Sequence, residues 1–135
     1  MNVDPAVLAE VQSIVAEVLA CEPEEATPHA RFFNDLGGES IDFLDLTFRC
    51  EKHFRVKLGM EKMLDAEYAA TDEAGVLTPQ SLAKLQERFA FLDFSQLPEQ
   101  ATKAQLADLL TVEAIAQFVS QAIARQEQQP ALEQS

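Results

Sequence analysis

Apolar residues recur at helical spacing in several stretches of this chain, and proline or glycine breaks the pattern between them. Asp4 and Pro5 are typical of a helix start. The positions that follow carry apolar residues every three or four steps, at Leu8, Val11, Ile14, Val15, Val18 and Leu19. This spacing predicts a first helix over about residues 5–20. Residues 21–39 contain two prolines and a glycine pair, so we expect a long loop there, anchored by Phe32 and Phe33.

Helical spacing returns over about residues 40–54, where the apolar residues fall on two faces of the predicted second helix. The two groups are Leu46, Cys50 and Phe54 on one face and Ile41, Leu44 and Phe48 roughly opposite. Only one face can be the ordinary core face, so the other needs a separate explanation.

Three more helices are predicted in the second half of the chain. The first covers about residues 60–70, the next starts at Thr78 and Pro79 and runs to about Phe91, and the last is capped by Thr111. Residues 94–105 are predicted to form a loop, and residues 126–135 a flexible polar tail. A chain of 135 residues is long enough for one core. We therefore predict a single all-α domain over about residues 1–125.

Charge and composition exclude several classes of function. Ten basic against 23 acidic residues give a net charge of −13, which disfavours binding to nucleic acid or to an anionic membrane surface. No apolar run approaches the roughly 20 residues of a membrane-spanning helix, and the first residues do not resemble a signal peptide. Cys21 and Cys50 lack the spacing of metal ligands. We expect a cytoplasmic protein with no metal site and no membrane insertion.

Ser40 is the candidate for chemistry because it stands where the loop gives way to the second helix, behind Gly37 and Gly38. The residues alone allow a simple helix N-cap, or a serine that carries a phosphate-linked group, since a helix start favours an attached anion. A serine nucleophile is disfavoured, because the second glycine of a nucleophile elbow, the preceding strand and a nearby histidine base are all missing. A calcium loop is disfavoured because its ligand pattern is absent. Paired catalytic carboxylates stay possible, although acids at a helix start are more often a solvated face.

The segment DLGGESIDFLDL, residues 35–46, resembles the acyl carrier protein family, and the resemblance extends over residues 8–58 and 111–123. It implies a four-helix bundle in which Ser40 is the modified serine. A phosphopantetheinyl transferase would attach 4′-phosphopantetheine from coenzyme A to Ser40, and acyl groups would ride on this arm as thioesters. The resemblance thus implies a carrier, with no catalytic residues of its own, that is expected to be a monomer.

The resemblance also implies roles for the second helix. It implies that partner enzymes touch this helix near Ser40. The residues predicted to bind partners are Asp35, Glu39, Ile41, Asp42, Leu44, Asp45 and Phe48, together with the basic residues Arg49 and Lys52. The resemblance assigns an acyl-chain pocket to the inner face, at Phe43, Leu46, Thr47, Cys50 and Phe54. The alternative for Ile41, Leu44 and Phe48 is burial beneath the middle segment of the chain.

Besides Ile41, which stands where leucine is usual and puts little in doubt, two larger features depart from the usual family pattern. The second helix ends in a basic band, formed by Arg49, Lys52, Arg55 and Lys57, which is expected to select a dedicated partner enzyme. The connection before the last helix is an insertion of about 50 residues, 59–110. Such an insertion resembles specialised bacterial carriers for very-long-chain or hydroxylated acyl groups in lipid A synthesis. Its aromatic residues would either extend the wall around an acyl chain or complete an enlarged core; they are Tyr68, Phe89, Phe91 and Phe94.

The expected function is therefore transport of acyl groups between the loading, elongating or acyltransferase enzymes of fatty-acid or lipid biosynthesis. Other readings stay open. One is an aminoacyl, peptidyl or polyketide carrier, although residues 1–45 are more acidic than is usual for a peptidyl carrier. The other is an acidic helical interaction domain in which Ser40 stays unmodified.

Overall fold

Five α-helices run through the residues that the computed structural model describes, which are 3–65, 68–90 and 92–128. They are α1 (Pro5–Leu19), α2 (Ser40–Phe54), α3 (Pro79–Arg88), α4 (Lys103–Ala107) and α5 (Val112–Gln128). Short 3₁₀ turns lie at Pro23–Glu25, Met60–Leu64 and Phe94–Gln96. The described residues form isolated β-bridges and no named strand. The predicted all-α fold is confirmed, and no helix in the described part of the chain is long and apolar enough to cross a membrane.

Helix α1 forms where its sequence signals place it. The Asp4 side chain accepts a hydrogen bond from the amide of Ala6 at 2.9 Å, and Pro5 occupies the first turn. The helix ends at Leu19, and the C-cap residue Ala20 has a left-handed backbone with φ of 54°. The buried stripe of α1 packs against α5 and α2 and consists of Val7, Val11, Ile14, Val15 and Ala16.

The loop between α1 and α2 is tied to the start of α5. The amide of Phe32 donates to the carbonyl of Leu110 at 2.9 Å, and the amide of Val112 donates to the carbonyl of Ala30 at 3.0 Å. The Phe32 side chain is fully buried. The 20 residues between Leu19 and Ser40 are thereby held in place by residues that come much later in the chain.

The insertion is less helical than its sequence pattern predicts. The helix predicted over residues 60–70 is wrong, because a 3₁₀ turn ends at Leu64 and the backbone of Asp65 is extended. Met60 and Met63 are buried three residues apart, a spacing that a 3₁₀ turn satisfies as well as an α-helix does. Residues 66 and 67 of that predicted helix lie outside the described residues.

Two further boundaries differ from the prediction. Helix α3 begins at Pro79 as predicted but ends at Arg88, short of Phe91, which lies outside the described residues. The predicted loop over 94–105 contains the turn Phe94–Gln96 and the start of α4. A capping box starts α4: the side chains of Thr102 and Gln105 each accept a hydrogen bond from the other residue's amide.

The aromatic residues of the insertion that the structure describes contribute to the core. Phe89 is 1% exposed, and its ring contacts those of Tyr68 and Phe118 with centroid distances of 5.6 and 5.8 Å. The Arg88 guanidinium lies over Phe89 and donates to the carbonyl of Leu58 at 3.2 Å. Phe94 is partly buried against the same core. These contacts join the insertion to α5 and favour an enlarged core as the role of these rings.

Candidate functional site

Ser40 is the first residue of α2, and its side chain is exposed. Its alternative role as the helix N-cap is wrong, because Glu39 occupies that position. The amide of Glu39 donates to Oδ2 of Asp42 at 2.9 Å, which completes the start of the helix without the serine hydroxyl. Ser40 therefore stands at the positive end of a 15-residue helix.

The glycine pair before Ser40 is required by the local geometry. Gly37 has a φ of +73°, a left-handed conformation that favours glycine. At Gly38 a Cβ atom would lie 2.5 Å from Cε2 of the Phe32 ring and 2.9 Å from the Phe32 carbonyl oxygen. The chain thus passes directly over Phe32 on its way to Ser40, and only glycine allows that approach.

Three aromatic rings fix the start of α2 against this loop. Phe32 and Phe43 meet edge to face with centroids 5.6 Å apart, and Phe33 contacts Phe32 at 5.1 Å and Phe43 at 5.5 Å. Phe43 follows Ser40 by three residues and is 2% exposed. Because Phe32 is also bonded to Leu110, this cluster sets the position of Ser40 relative to α5.

An open groove of about 980 Å³ begins at Ser40, and we call it the Ser40 groove. One wall comes from the loop and the start of α2, and the other comes from the insertion. The lining residues are Phe33, Asn34, Ser40, Ile41, Phe43, Leu44, Glu61, Leu64, Asp65, Lys103, Ala104, Ala107 and Asp108. Sequence reasoning offered the insertion as a possible wall but did not identify these residues of it, because nothing in the local pattern of residues 61–65 or 103–108 marks them as neighbours of Ser40.

Of the residues predicted to form an acyl-chain pocket, Phe43 lines the Ser40 groove. Leu46, Thr47 and Cys50 are fully buried in the core, and Phe54 is partly buried against it. The Thr47 hydroxyl donates to the carbonyl of Phe43 at 3.0 Å. Burial raises the pKa of the Cys50 thiol to about 12. These four residues hold α2 in the bundle and do not line the groove.

The second apolar face of α2 is solvent-exposed. Ile41 is 73% exposed, Leu44 37% and Phe48 55%, and these are the exposed large apolar side chains of the described residues. The insertion does not cover Ile41 or Phe48, so the burial alternative for them is wrong. The two-faced pattern predicted for this helix is confirmed, with Leu46 and Cys50 on the core side.

The charged residues predicted around Ser40 are partly engaged with one another. Asp35 accepts hydrogen bonds from the guanidinium and the amide of Arg31, and these bonds hold the pKa of its carboxyl below the ordinary value. Arg49 pairs with Asp45 at 3.1 Å and lies 3.7 Å from Glu17. The remaining members of the basic band are exposed, namely Lys52, Arg55 and Lys57.

Comparison with known proteins finds a family match for part of the chain. Residues 9–68 match the family model described as phosphopantetheine attachment site. The match begins in α1, includes the loop, the glycine pair and all of α2, and ends just beyond the turn Met60–Leu64. No solved structure matches the chain significantly. The exposed hydroxyl of Ser40, the helix start behind it and the adjoining groove fit a covalently attached phosphate group with an organic arm.

Proposed function

We propose that this chain is an acyl carrier protein, which carries acyl groups as thioesters on an arm attached to Ser40, because residues 9–68 match the phosphopantetheine attachment family. The domain is the site of covalent 4′-phosphopantetheine attachment, and carrier domains of this family are generally non-catalytic. The observation that carries the choice of Ser40 is its exposed position at the start of α2, beyond a glycine that no other residue can replace without a clash.

The chain's own residues explain how Ser40 could serve as the attachment point. The start of α2 favours the negative charge of a phosphodiester on the serine oxygen. The aromatic cluster of Phe32, Phe33 and Phe43 keeps that oxygen at a fixed place on the surface. The arm supplies a terminal thiol for the thioester, and the protein supplies a rigid, exposed anchor for it.

The surface around Ser40 supports a role in delivering acyl groups to partner enzymes. Ile41 and Phe48 are exposed apolar side chains on the helix that begins at Ser40, and apolar residues in such positions commonly mark a protein interface. Acidic side chains near Ser40 would attract a basic transferase, and the basic band at the other end of α2 would select a dedicated partner. We propose that the chain has no reaction of its own.

The finer assignment is transport of long-chain or hydroxylated acyl groups in specialised fatty-acid or lipid synthesis, of the lipid A type, in the cytoplasm. Its support is the insertion, which adds a second wall to the Ser40 groove through Leu64, Ala104 and Ala107. Cys21 and Cys50 are free thiols, as expected in a reducing compartment.

The attachment can be tested by co-expression with a phosphopantetheinyl transferase followed by intact-mass measurement. We expect a single phosphopantetheine increment on the wild-type chain and none on Ser40→Ala. The matched control is Ser95→Ala, which removes another exposed serine and should keep the increment. An increment that survives Ser40→Ala, or its absence with several transferases, would refute the proposal.

The kind of group carried needs a second experiment. Transferases that accept acyl-coenzyme A derivatives can load the chain directly with acyl or aminoacyl groups of known structure. We expect long acyl groups to raise the unfolding temperature of the loaded protein more than aminoacyl groups do, because the groove offers apolar surface to a chain. The reverse order would favour an aminoacyl or peptidyl carrier.

A further inference from the structure

A carboxylate oxygen without a hydrogen-bond donor lies beside the Ser40 groove. Glu61, in the turn Met60–Leu64, lines the groove, and its Oε2 atom is shielded from solvent with no hydrogen-bond partner among the described residues. Within the described part of the chain, the other two shielded atoms of this kind are on Gln117 and Ser120, which belong to α5 and do not line the groove. A buried acceptor that stays unpaired destabilises a protein, so a donor is expected to reach Glu61 in some state of the molecule.

The other residues of the groove match the chemistry of a phosphopantetheine arm. Lys103 is the one base among the described residues that line the groove, and it can pair with a phosphodiester. Phe33 and Leu64 offer apolar surface to the dimethyl carbon and the methylene groups of an arm. Asp65 and Asp108 also line the groove, so a free anion would be repelled, whereas a covalent link to Ser40 would hold the arm there.

We propose that the Ser40 groove is the docking site of the arm itself, with Glu61 accepting a hydrogen bond from an amide N–H of the arm. Lys103, which lines the same groove, would offset part of the charge of the phosphodiester at Ser40. This inference rests on the proposed attachment at Ser40. Glu61 and Lys103 both belong to the insertion, so the insertion would serve to hold the arm against the protein between encounters with partners.

The test uses the modified protein with an arm that is ¹⁵N-labelled at both amides, made by enzymatic transfer from labelled coenzyme A. Hydrogen exchange of the two arm amides is measured by NMR. We expect at least one of them to exchange about fivefold to tenfold more slowly than in free coenzyme A, which corresponds to one net hydrogen bond. Glu61→Leu should abolish this protection. Glu61→Gln keeps an oxygen acceptor and should retain part of it.

Glu73→Leu is the matched control, because Glu73 is an exposed acid of the insertion that does not line the groove, and its loss should leave the protection unchanged. Exchange of both arm amides at the rate of free coenzyme A in the wild-type protein would overturn the inference. So would equal protection in wild type and in Glu61→Leu. Failure to attach the labelled arm at all would instead refute the attachment at Ser40, so the two failures are distinguishable by mass.

Discussion

Gly38 offers the sharpest test of how the loop positions Ser40. In Gly38→Ala the new Cβ atom would lie 2.5 Å from Cε2 and 2.8 Å from Cδ2 of the Phe32 ring, and 2.9 Å from the Phe32 carbonyl oxygen. All three distances are shorter than nonbonded contacts allow. The alanine can be accepted only if the loop or Phe32 moves.

Phe32 has little freedom to move. It is fully buried, its ring packs against those of Phe33 and Phe43, and its amide donates to the Leu110 carbonyl. Overpacking of this kind costs about 1–3 kcal/mol, and the rigidity around Phe32 places Gly38→Ala near the upper end, at about 3 kcal/mol of unfolding free energy. The displaced loop should also slow phosphopantetheine transfer to Ser40, since the loop leads directly into α2.

Two other glycines provide matched controls. Gly37 and Gly75 have φ of +73° and +83°, and a Cβ atom at either position would meet nothing within 4 Å. Alanine at these positions bears only the cost of a left-handed backbone, about 1 kcal/mol. Urea unfolding followed by far-UV circular dichroism measures all three variants against wild type. If Gly38→Ala destabilises the protein no more than Gly37→Ala does, the proposed contact with Phe32 does not constrain the loop.

Three further predictions concern α2 and the cysteines. Leu46→Ala should lower the unfolding free energy by about 2–5 kcal/mol, because Leu46 is fully buried. Ile41→Ala, at an exposed site, should change the unfolding free energy by no more than about 0.5 kcal/mol. Urea titration compares the two variants, and equal losses would contradict the assignment of the two faces of α2. When the native protein is treated with a thiol reagent at pH 8, Cys21 should be labelled and Cys50 should not, because Cys50 is buried and burial raises its pKa to about 12. Intact-mass measurement counts the labels, and two labels on the native protein would contradict this prediction. Lys52→Glu should slow acyl transfer to a dedicated partner enzyme, while the rate of phosphopantetheine transfer to Ser40 stays close to wild type. Both transfer rates are measured on the same variant. A similar loss in the two rates would show that the basic band does not act on partner choice.

The parts of the fold that could be predicted are those with local signals. The start of α1 follows from Asp4 and Pro5, and the start of α3 follows from Thr78 and Pro79, because a capping side chain and a proline act on the backbone next to them. The two faces of α2 follow from its spacing alone. The end of α3 and the short turn at Met60–Leu64 depend on contacts with distant residues, and these leave no mark on the local pattern.

The candidate site divides in the same way. Ser40 and its glycine pair could be identified from the sequence because they are contiguous. The need for glycine at position 38 could not be identified, because it comes from the close approach of the Phe32 ring. The hydrogen bond from the Phe32 amide to the Leu110 carbonyl helps to fix that ring in place. The groove was not predictable either, because segments near residues 33–44, 61–65 and 103–108 come together only in the folded chain. Phe89, an aromatic residue of the insertion, packs in the core and does not line the groove.

Ile41 and Leu44 belong to two surfaces at once, and this links partner binding to the groove. Both side chains lie on the exposed face of α2, and both also line the Ser40 groove. A partner that docks on this face therefore contacts the rim of the groove at the same residues. Burial of Ile41 in an interface would remove its apolar surface from water and would at the same time change one wall of the groove. A partner that docks on α2 would thus contact the groove in which Glu61 holds the arm. Docking of the partner and release of the arm would then occur together.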